Sequence, residues 1–206
     1  KARLIDDAKR GTQNAQAFFV ETIFTASIDF IAEVLAAWFY EFAKSEAGLG
    51  REASPDEILR ALPAWLDIAM GVDDLPDAYK GVPLHPGDAK AAVVAVWCRT
   101  LKKWRFAVSH SMLFGLSAAV VHFNRKPTLA VAAARRLCGV AAAAFFDDIC
   151  RVVAKCGDDM DGFCIDEILA GMGSKPAPSK HVPAGQSRVW IGVQTGVGEC
   201  TETGRY

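Results

Sequence analysis

Apolar residues recur at helical spacing over residues 27–45, where Ile28, Ile31, Leu35, Phe39 and Phe42 fall on one face. The pattern predicts an amphipathic helix that ends at Gly48-Leu49-Gly50. Ser54-Pro55-Asp56-Glu57 combines an N-cap residue, a proline at the first helical position and acids in the first turn. A helix through Ile58, Leu59 and Leu62 is expected there, and Pro63 is expected to open a second short helix as far as Met70. The period changes at Gly71. Residues 71–75 read as a strand leading into a turn at Pro76-Asp77, and 82–88 read as a second turn. Residues 91–98 and 104–108 are rich in β-branched and aromatic side chains and predict a hairpin about 99–103. A loop at 114–117 precedes a helical stretch at 118–137, which Pro127 is expected to kink or break near Lys126. Residues 139–146 and 149–153 read as two strands with an acidic doublet, Asp147-Asp148, at the tip between them. The alanine run before the doublet is equally compatible with a helix by propensity; Phe145-Phe146 and the β-branched run that follows favour strands. An acidic turn (157–161), a helix (163–172), a loop (173–185) and a final strand (189–193) complete the pattern. The first 14 residues read as a short strand running into a loop.

The acidic doublet is the feature of this pattern that asks for chemistry. Two adjacent carboxylates closing an apolar run are costly unless a cation offsets them. Mg²⁺ is a hard ion that takes oxygen ligands and commonly sits between one or two carboxylates and substrate phosphates. Asp74, at the end of the strand predicted at 71–75, offers a second carboxylate. The residues between Asp74 and Asp147 suffice for a hairpin and a long helix, so the two strands can lie side by side. Carboxylates from neighbouring strands can hold a metal pair for in-line phosphoryl transfer.

Composition bounds this reading. The chain has 206 residues, enough for one domain, and its 51% hydrophobic and 23% charged content is that of a globular protein. No uncharged apolar run is long enough to span a membrane; the longest candidate, 27–43, carries Asp29, Glu33 and Glu41. The chain starts at Lys1 and reads as a piece of a longer polypeptide. The six cysteines include no C-x-x-C pair, which favours reduced thiols in an intracellular protein, nuclear or cytoplasmic, over a zinc site. The four histidines, His85, His110, His122 and His181, suggest no shared site and read as structural or surface residues. The net charge is only −1, but its distribution is uneven. Between Ala89 and Arg151 stand Lys90, Arg99, Lys102, Lys103, Arg105, Arg125, Lys126, Arg135, Arg136 and Arg151, against Asp147 and Asp148 alone. A basic segment around one acidic doublet suits a polyanion gripped at a metal centre.

In this order the segments resemble the palm motifs of reverse transcriptases, in the style of a retrotransposon polyprotein. Asp74-Leu75-Pro76-Asp77-Ala78-Tyr79, followed by Gly81-Val82-Pro83-Leu84, resembles motif A. Phe114-Gly115, the small residues after it and Phe123 resemble motif B. Phe145-Phe146-Asp147-Asp148 resembles motif C, and Trp190-Ile191-Gly192 resembles motif E. Lys1 to Asn14 resembles the fingers motif that opens the domain, and Lys180 is placed like the motif D lysine.

The resemblance implies an α+β polymerase right hand: a small antiparallel palm sheet backed by helices, a partly helical fingers portion, and a thumb missing or truncated. It implies one domain over 1–206, with fingers-like parts at 1–70 and 89–110, palm at 71–88 and 111–172, and the end of the palm at 173–206. The implied activity is RNA-directed DNA polymerase, adding deoxynucleotides to a primer 3′-hydroxyl with two Mg²⁺ ions, or Mn²⁺ in their place. The implied partners are an RNA or DNA template with its primer, deoxynucleoside triphosphates and further polyprotein domains, with no membrane. Asp74 and Asp147 would be metal ligands and Asp148 the supporting acid. Adjacent strand residues face opposite ways, which separates Asp147 from Asp148. Spacing to Asp77 and Tyr79 selects Asp74 over Asp73, which is left as a turn or solvent-facing acid. Asp77 and Ala78 would hold the triphosphate, Tyr79 would exclude a ribose 2′-hydroxyl, and Gly115 would let the backbone approach template and base. Lys1, Arg3 and Lys180 would reach the triphosphate. Arg99, Lys102, Lys103, Arg105, Arg125 and Lys126 would track the nucleic-acid backbone.

Four positions depart from the family pattern: Phe145 in place of a tyrosine, Pro76 inside motif A, Leu113 where a proline often precedes Phe-Gly, and the alanine-rich approach to motif C. Three alternatives therefore stay open. They are a degenerate retroelement domain that folds or binds nucleic acid without catalysis, an RNA-templated RNA polymerase or other metal-dependent nucleotidyltransferase, and a helical interaction module with a fortuitous Asp-Asp.

Overall fold

A computed structural model describes residues 13–16, 22–45, 54, 57, 68–75, 77–174, 181–185 and 187–196. Along the chain run α1 (Asp29–Ser45), β1 (Ile68–Asp74), β2 (Val93–Cys98), β3 (Lys103–Val108), α2 (Ser117–Ala133), β4 (Ala141–Phe145), β5 (Asp148–Ala154), α3 (Asp158–Gly171), β6 (Val182–Gly185), β7 (Ser187–Trp190) and β8 (Val193–Gly196). The described residues thus form a mixed α+β protein with small antiparallel sheets and three α-helices. None of these helices is long and apolar enough to cross a membrane.

The chain divides into two compact units. One comprises Lys1–Phe24 and Pro76–Lys126, the other Thr25–Leu75 and Pro127–Tyr206. The second unit is built on a four-stranded sheet in the order β4-β5-β1-β6, with every described pairing antiparallel. Strand alternation sorts its side chains onto two faces. Ile68, Met70, Val72, Ala143, Cys150 and Val152 share one face and pack with Ile31 of α1 and with Trp190. Phe30 meets the Trp190 ring edge-on at 6.5 Å. The other face carries Ala69, Gly71, Asp73, Ile149, Arg151 and Val153, and α3 lies on that side, with Gly162, Ile165 and Leu169 buried. The first unit contains the β2–β3 hairpin, paired from Val93↔Val108 to Cys98↔Lys103, and an isolated bridge between Pro83 and Ser111.

Several expectations hold, including the helix after Ser27, the hairpin at 93–108 and the strands on either side of the acidic doublet. Ser54 and Glu57 form a reciprocal capping box, the Ser54 backbone N–H donating to Glu57 Oε2 at 2.8 Å. Others are corrected. Residues 68–70 are strand, not the end of a helix, so β1 starts three residues earlier than the sequence pattern implies. α2 runs through Pro127 without a break and continues as a wider π-type turn at Ala134–Cys138. α3 begins at Asp158, because Asp158, Asp159 and Asp161 favour the positive end of a helix rather than a free turn. Part of the loop expected at 173–185 is β6. The single final strand is in fact a hairpin: Ile191 (φ 53°) and Gly192 (φ 74°) turn the chain between β7 and β8.

Candidate functional site

Two antiparallel contacts create the acidic end of the main sheet. β4 and β5 are joined by the two-residue turn Phe146-Asp147, with Phe145 paired to Asp148. β1 lies on the other side of β5, and its last residue, Asp74, is paired directly with Asp148. Directly opposed residues of an antiparallel pair project to the same face, with Cβ atoms roughly 4.5–5.5 Å apart. The Leu75 N–H donates to the Asp147 carbonyl at 2.8 Å and so binds the turn to the end of β1. Asp74, Asp147 and Asp148 therefore meet at one corner of one sheet.

The turn is conformationally costly. Phe146 holds φ 53°, the left-handed region in which a bulky side chain is disfavoured. Positive φ at the first of two turn residues is the type II′ pattern, where glycine is usual. Phe146 instead meets Phe145 edge-on at 5.0 Å. Asp147 lies in the turn and Asp148 in the strand, so simple strand alternation does not describe the doublet. Asp148, expected to be the weaker neighbour, is the one that shares a face with Asp74.

The reading of Asp73 as a turn or solvent-facing acid is overturned. Asp73 is only 2% exposed, on the face opposite to Asp74, and forms an ion pair with Arg151, which is completely buried. Arg151 Nη2 reaches Asp158 Oδ1 at 2.9 Å, and His181 Nδ1 lies 2.7 Å from Asp73 Oδ1. Asp158 Oδ2 accepts from the Ala184 N–H at 2.8 Å. One network thus links β1, β5, the start of α3 and β6. Gly71 sits opposite Arg151 in the register, and a Cβ there would overlap the guanidinium. Burial, reinforced by the charge of Asp73, raises the pKa of Asp166 on α3. Burial also pushes the Cys150 thiol up to about 12. Arg151, counted in the basic segment by sequence, is thus an internal charge, and His181 is a structural residue of this network. The sequence signal was an arginine inside the apolar strand Ile149-Cys150-Arg151-Val152-Val153, because a buried guanidinium demands carboxylates.

The remaining candidates of motifs A and B lie in the first unit. Asp77 (φ 57°) precedes a 3₁₀ turn at Ala78–Gly81, and Lys80 N donates to its carbonyl at 2.7 Å. Tyr79 is half-buried, edge-on to Phe114 at 5.1 Å and to Phe123 at 5.5 Å. Gly115 (φ 96°) opens the way into α2, its carbonyl accepting from Asn14 Nδ2 at 2.9 Å. Asn14 Oδ1 in turn accepts from the Ser117 N–H at 2.9 Å. That side chain fastens the loop at 114–117 from 101 residues away in sequence. Arg99, Lys102, Lys103, Arg105 and Arg125 are exposed, and Lys126 is half-buried. Lys1, Arg3 and Lys180, together with Pro76, lie outside the described residues.

Aspartate oxygens on facing strands are the donor set that Mg²⁺ prefers, in the mode where one or two carboxylates act together with substrate phosphates. Among the described residues, no group of three or more His, Cys, Asp or Glu side chains is arranged to hold a metal ion by itself. The corner fits the two-carboxylate mode and not a dedicated protein cage. No protein-family model matches the chain, and no curated protein matches it.

Proposed function

We propose that this chain is the fingers-and-palm portion of a reverse-transcriptase-like polymerase that adds deoxynucleotides to a primer 3′-hydroxyl. The observation that carries the reading is the direct opposition of Asp74 and Asp148, with Asp147 bonded through its backbone to the end of β1. Like charges placed directly opposite each other destabilise a sheet. A divalent cation held by these carboxylates would offset that repulsion.

In the reaction, the primer 3′-oxygen attacks the α-phosphorus, the bond to pyrophosphate breaks, and the hydroxyl proton is lost. Bound at the corner, Mg²⁺ would activate the hydroxyl and offset charge on the leaving pyrophosphate. The chain's own residues do the positioning. Asp74 and Asp147 would supply oxygen ligands, with Asp148 as the supporting acid opposite Asp74. The strained Phe146 turn, tied to Leu75, fixes where Asp147 projects. The buried Asp73–Arg151 pair holds β1 and β5 in the register that opposes Asp74 to Asp148. Tyr79, braced by Phe114 and Phe123, is the residue assigned to sugar discrimination.

The test is primer extension by this protein on a primed RNA template with deoxynucleotides and Mg²⁺. Extension supports the reading. Tight primer–template binding with no extension would leave the non-catalytic retroelement domain as the better account. Extension only with ribonucleotides would select an RNA-templated RNA polymerase.

A further inference from the structure

The β2–β3 hairpin has an unusual surface. Its register places Val93 with Val108, Ala95 with Phe106, and Trp97 with Trp104 on one face. Phe106 is 70% exposed, Trp104 57% and Trp97 46%. The two indoles lie 5.5 Å apart, edge to face. Leu101 at the tip is exposed as well. The base of the hairpin is anchored, Ala92 being buried and accepting from the Ser109 N–H at 2.8 Å.

Two properties identify what this face would take. First, its large exposed side chains at the outer end are aromatic, and they form a row of π-faces and edges rather than an aliphatic patch. Second, the charge around them has one sign. Arg99, Lys102, Lys103 and Arg105 are all exposed, and the sequence holds no acidic residue between Asp88 and Asp147. Lys103 and Arg105 belong to the other face by alternation, and Arg99 and Lys102 stand in the turn at the outer end of the aromatic row. A row of aromatic rings with cations at its outer end, in a positive field, complements a polyanion that carries flat, unpaired rings. A second copy of the same hairpin would bring like charges together.

We propose that the aromatic face of the β2–β3 hairpin is a stacking platform for unpaired bases of single-stranded nucleic acid. Trp97, Trp104 and Phe106 stack with bases, while Arg99 and Lys102 in the adjoining turn hold the phosphates; Lys103 and Arg105, on the other face, add only to the positive field. Base-paired strands hide their faces and gain only the phosphate contacts. The inference rests on the polymerase reading solely for naming the strand as template; the stacking itself does not depend on catalysis.

The experiment uses the full 206-residue chain without nucleotides or added metal ions. Fluorescence anisotropy follows a labelled oligothymidine and an abasic strand of equal length. Trp104→Leu keeps an apolar side chain on the strand but removes the ring; Trp104→Phe keeps a ring. Trp104→Leu is expected to weaken oligothymidine binding about tenfold, within the range for one lost stack, while abasic binding stays unchanged. Trp104→Phe is expected to restore most of the affinity. Equal affinity of wild type and Trp104→Leu for oligothymidine would overturn the proposal, as would wild type binding both strands alike. A wild-type dimer in sedimentation that Trp104→Leu dissociates, with no change in oligothymidine affinity, would assign the face to a second copy instead. Loss of stacking here with primer extension intact would leave the polymerase reading standing; stacking without extension would do the reverse.

Discussion

Asp74 and Asp148 face each other across the β1–β5 pair, two carboxylates at the same level of one sheet. On the neighbouring level the opposite face buries Asp73 against Arg151. Adjacent aspartates on β1 therefore serve two different electrostatic environments, one internal and neutralised by a guanidinium, the other at the sheet's acidic corner.

The internal pair makes a strong stability prediction. Arg151→Met leaves Asp73 buried with His181 as its remaining partner in the network and is expected to cost about 3–5 kcal/mol, read from urea unfolding. Asp73→Asn combined with Arg151→Met should cost less than the sum of the two single changes, because the double variant leaves no unpaired carboxylate at position 73, while Asp158 keeps its bond from the Ala184 N–H. Gly71→Ala should also destabilise, by crowding the guanidinium. Additive losses in the double variant would mean that the pair is not coupled.

Backbone strain at Phe146 can be separated from the contact its ring makes with Phe145. Phe146→Ala removes the ring but keeps an L side chain at φ 53°; Phe146→Gly removes both. The glycine variant is expected to be more stable than the alanine variant by about 1 kcal/mol. Equal stabilities would show that the turn relaxes in solution and that Phe146 is not strained.

Tyr79 packs edge-on against two phenylalanines, so removing its ring has two separable consequences. Tyr79→Ala should lower the melting temperature through loss of those contacts, each worth about 0.5–1.5 kcal/mol. If Tyr79 also discriminates against the ribose 2′-hydroxyl, the same variant should gain ribonucleotide incorporation relative to deoxynucleotides, and Tyr79→Phe should retain discrimination. A stability loss without that gain would reduce Tyr79 to a packing residue.

The legible parts of the fold were those whose signal is local. Helical spacing from Ile28 to Phe42 marked α1, and β-branched and aromatic runs marked the β2–β3 hairpin. Asp74 and the Asp147-Asp148 doublet were singled out as two acids on neighbouring strands, and the sheet places them at one end. What the sequence concealed depended on partners far along the chain. Ile68 to Met70 joined a strand because β5 pairs with them, which no local pattern records. Trp190-Ile191-Gly192-Val193 read as continuous strand because isoleucine is a poor indicator of a positive-φ turn. Asp73 read as solvent-facing until Arg151, 78 residues away, supplied the buried charge that explains it. That Asp148 lies opposite Asp74 depends on the pairing of β1 with β5, which alternation applied to the doublet alone does not record.

The central claim is that the corner formed by Asp74, Asp147 and Asp148 is a metal-dependent polymerisation site. The most direct measurement is Mg²⁺-dependent primer extension by the protein, comparing wild type with Asp74→Asn and Asp147→Asn, each checked for unchanged unfolding and primer–template binding. Extension by wild type and its loss by at least a hundredfold in both variants, the scale on which catalytic electrostatics usually act, is the predicted result. Extension that persists in either variant at the wild-type rate would contradict the account.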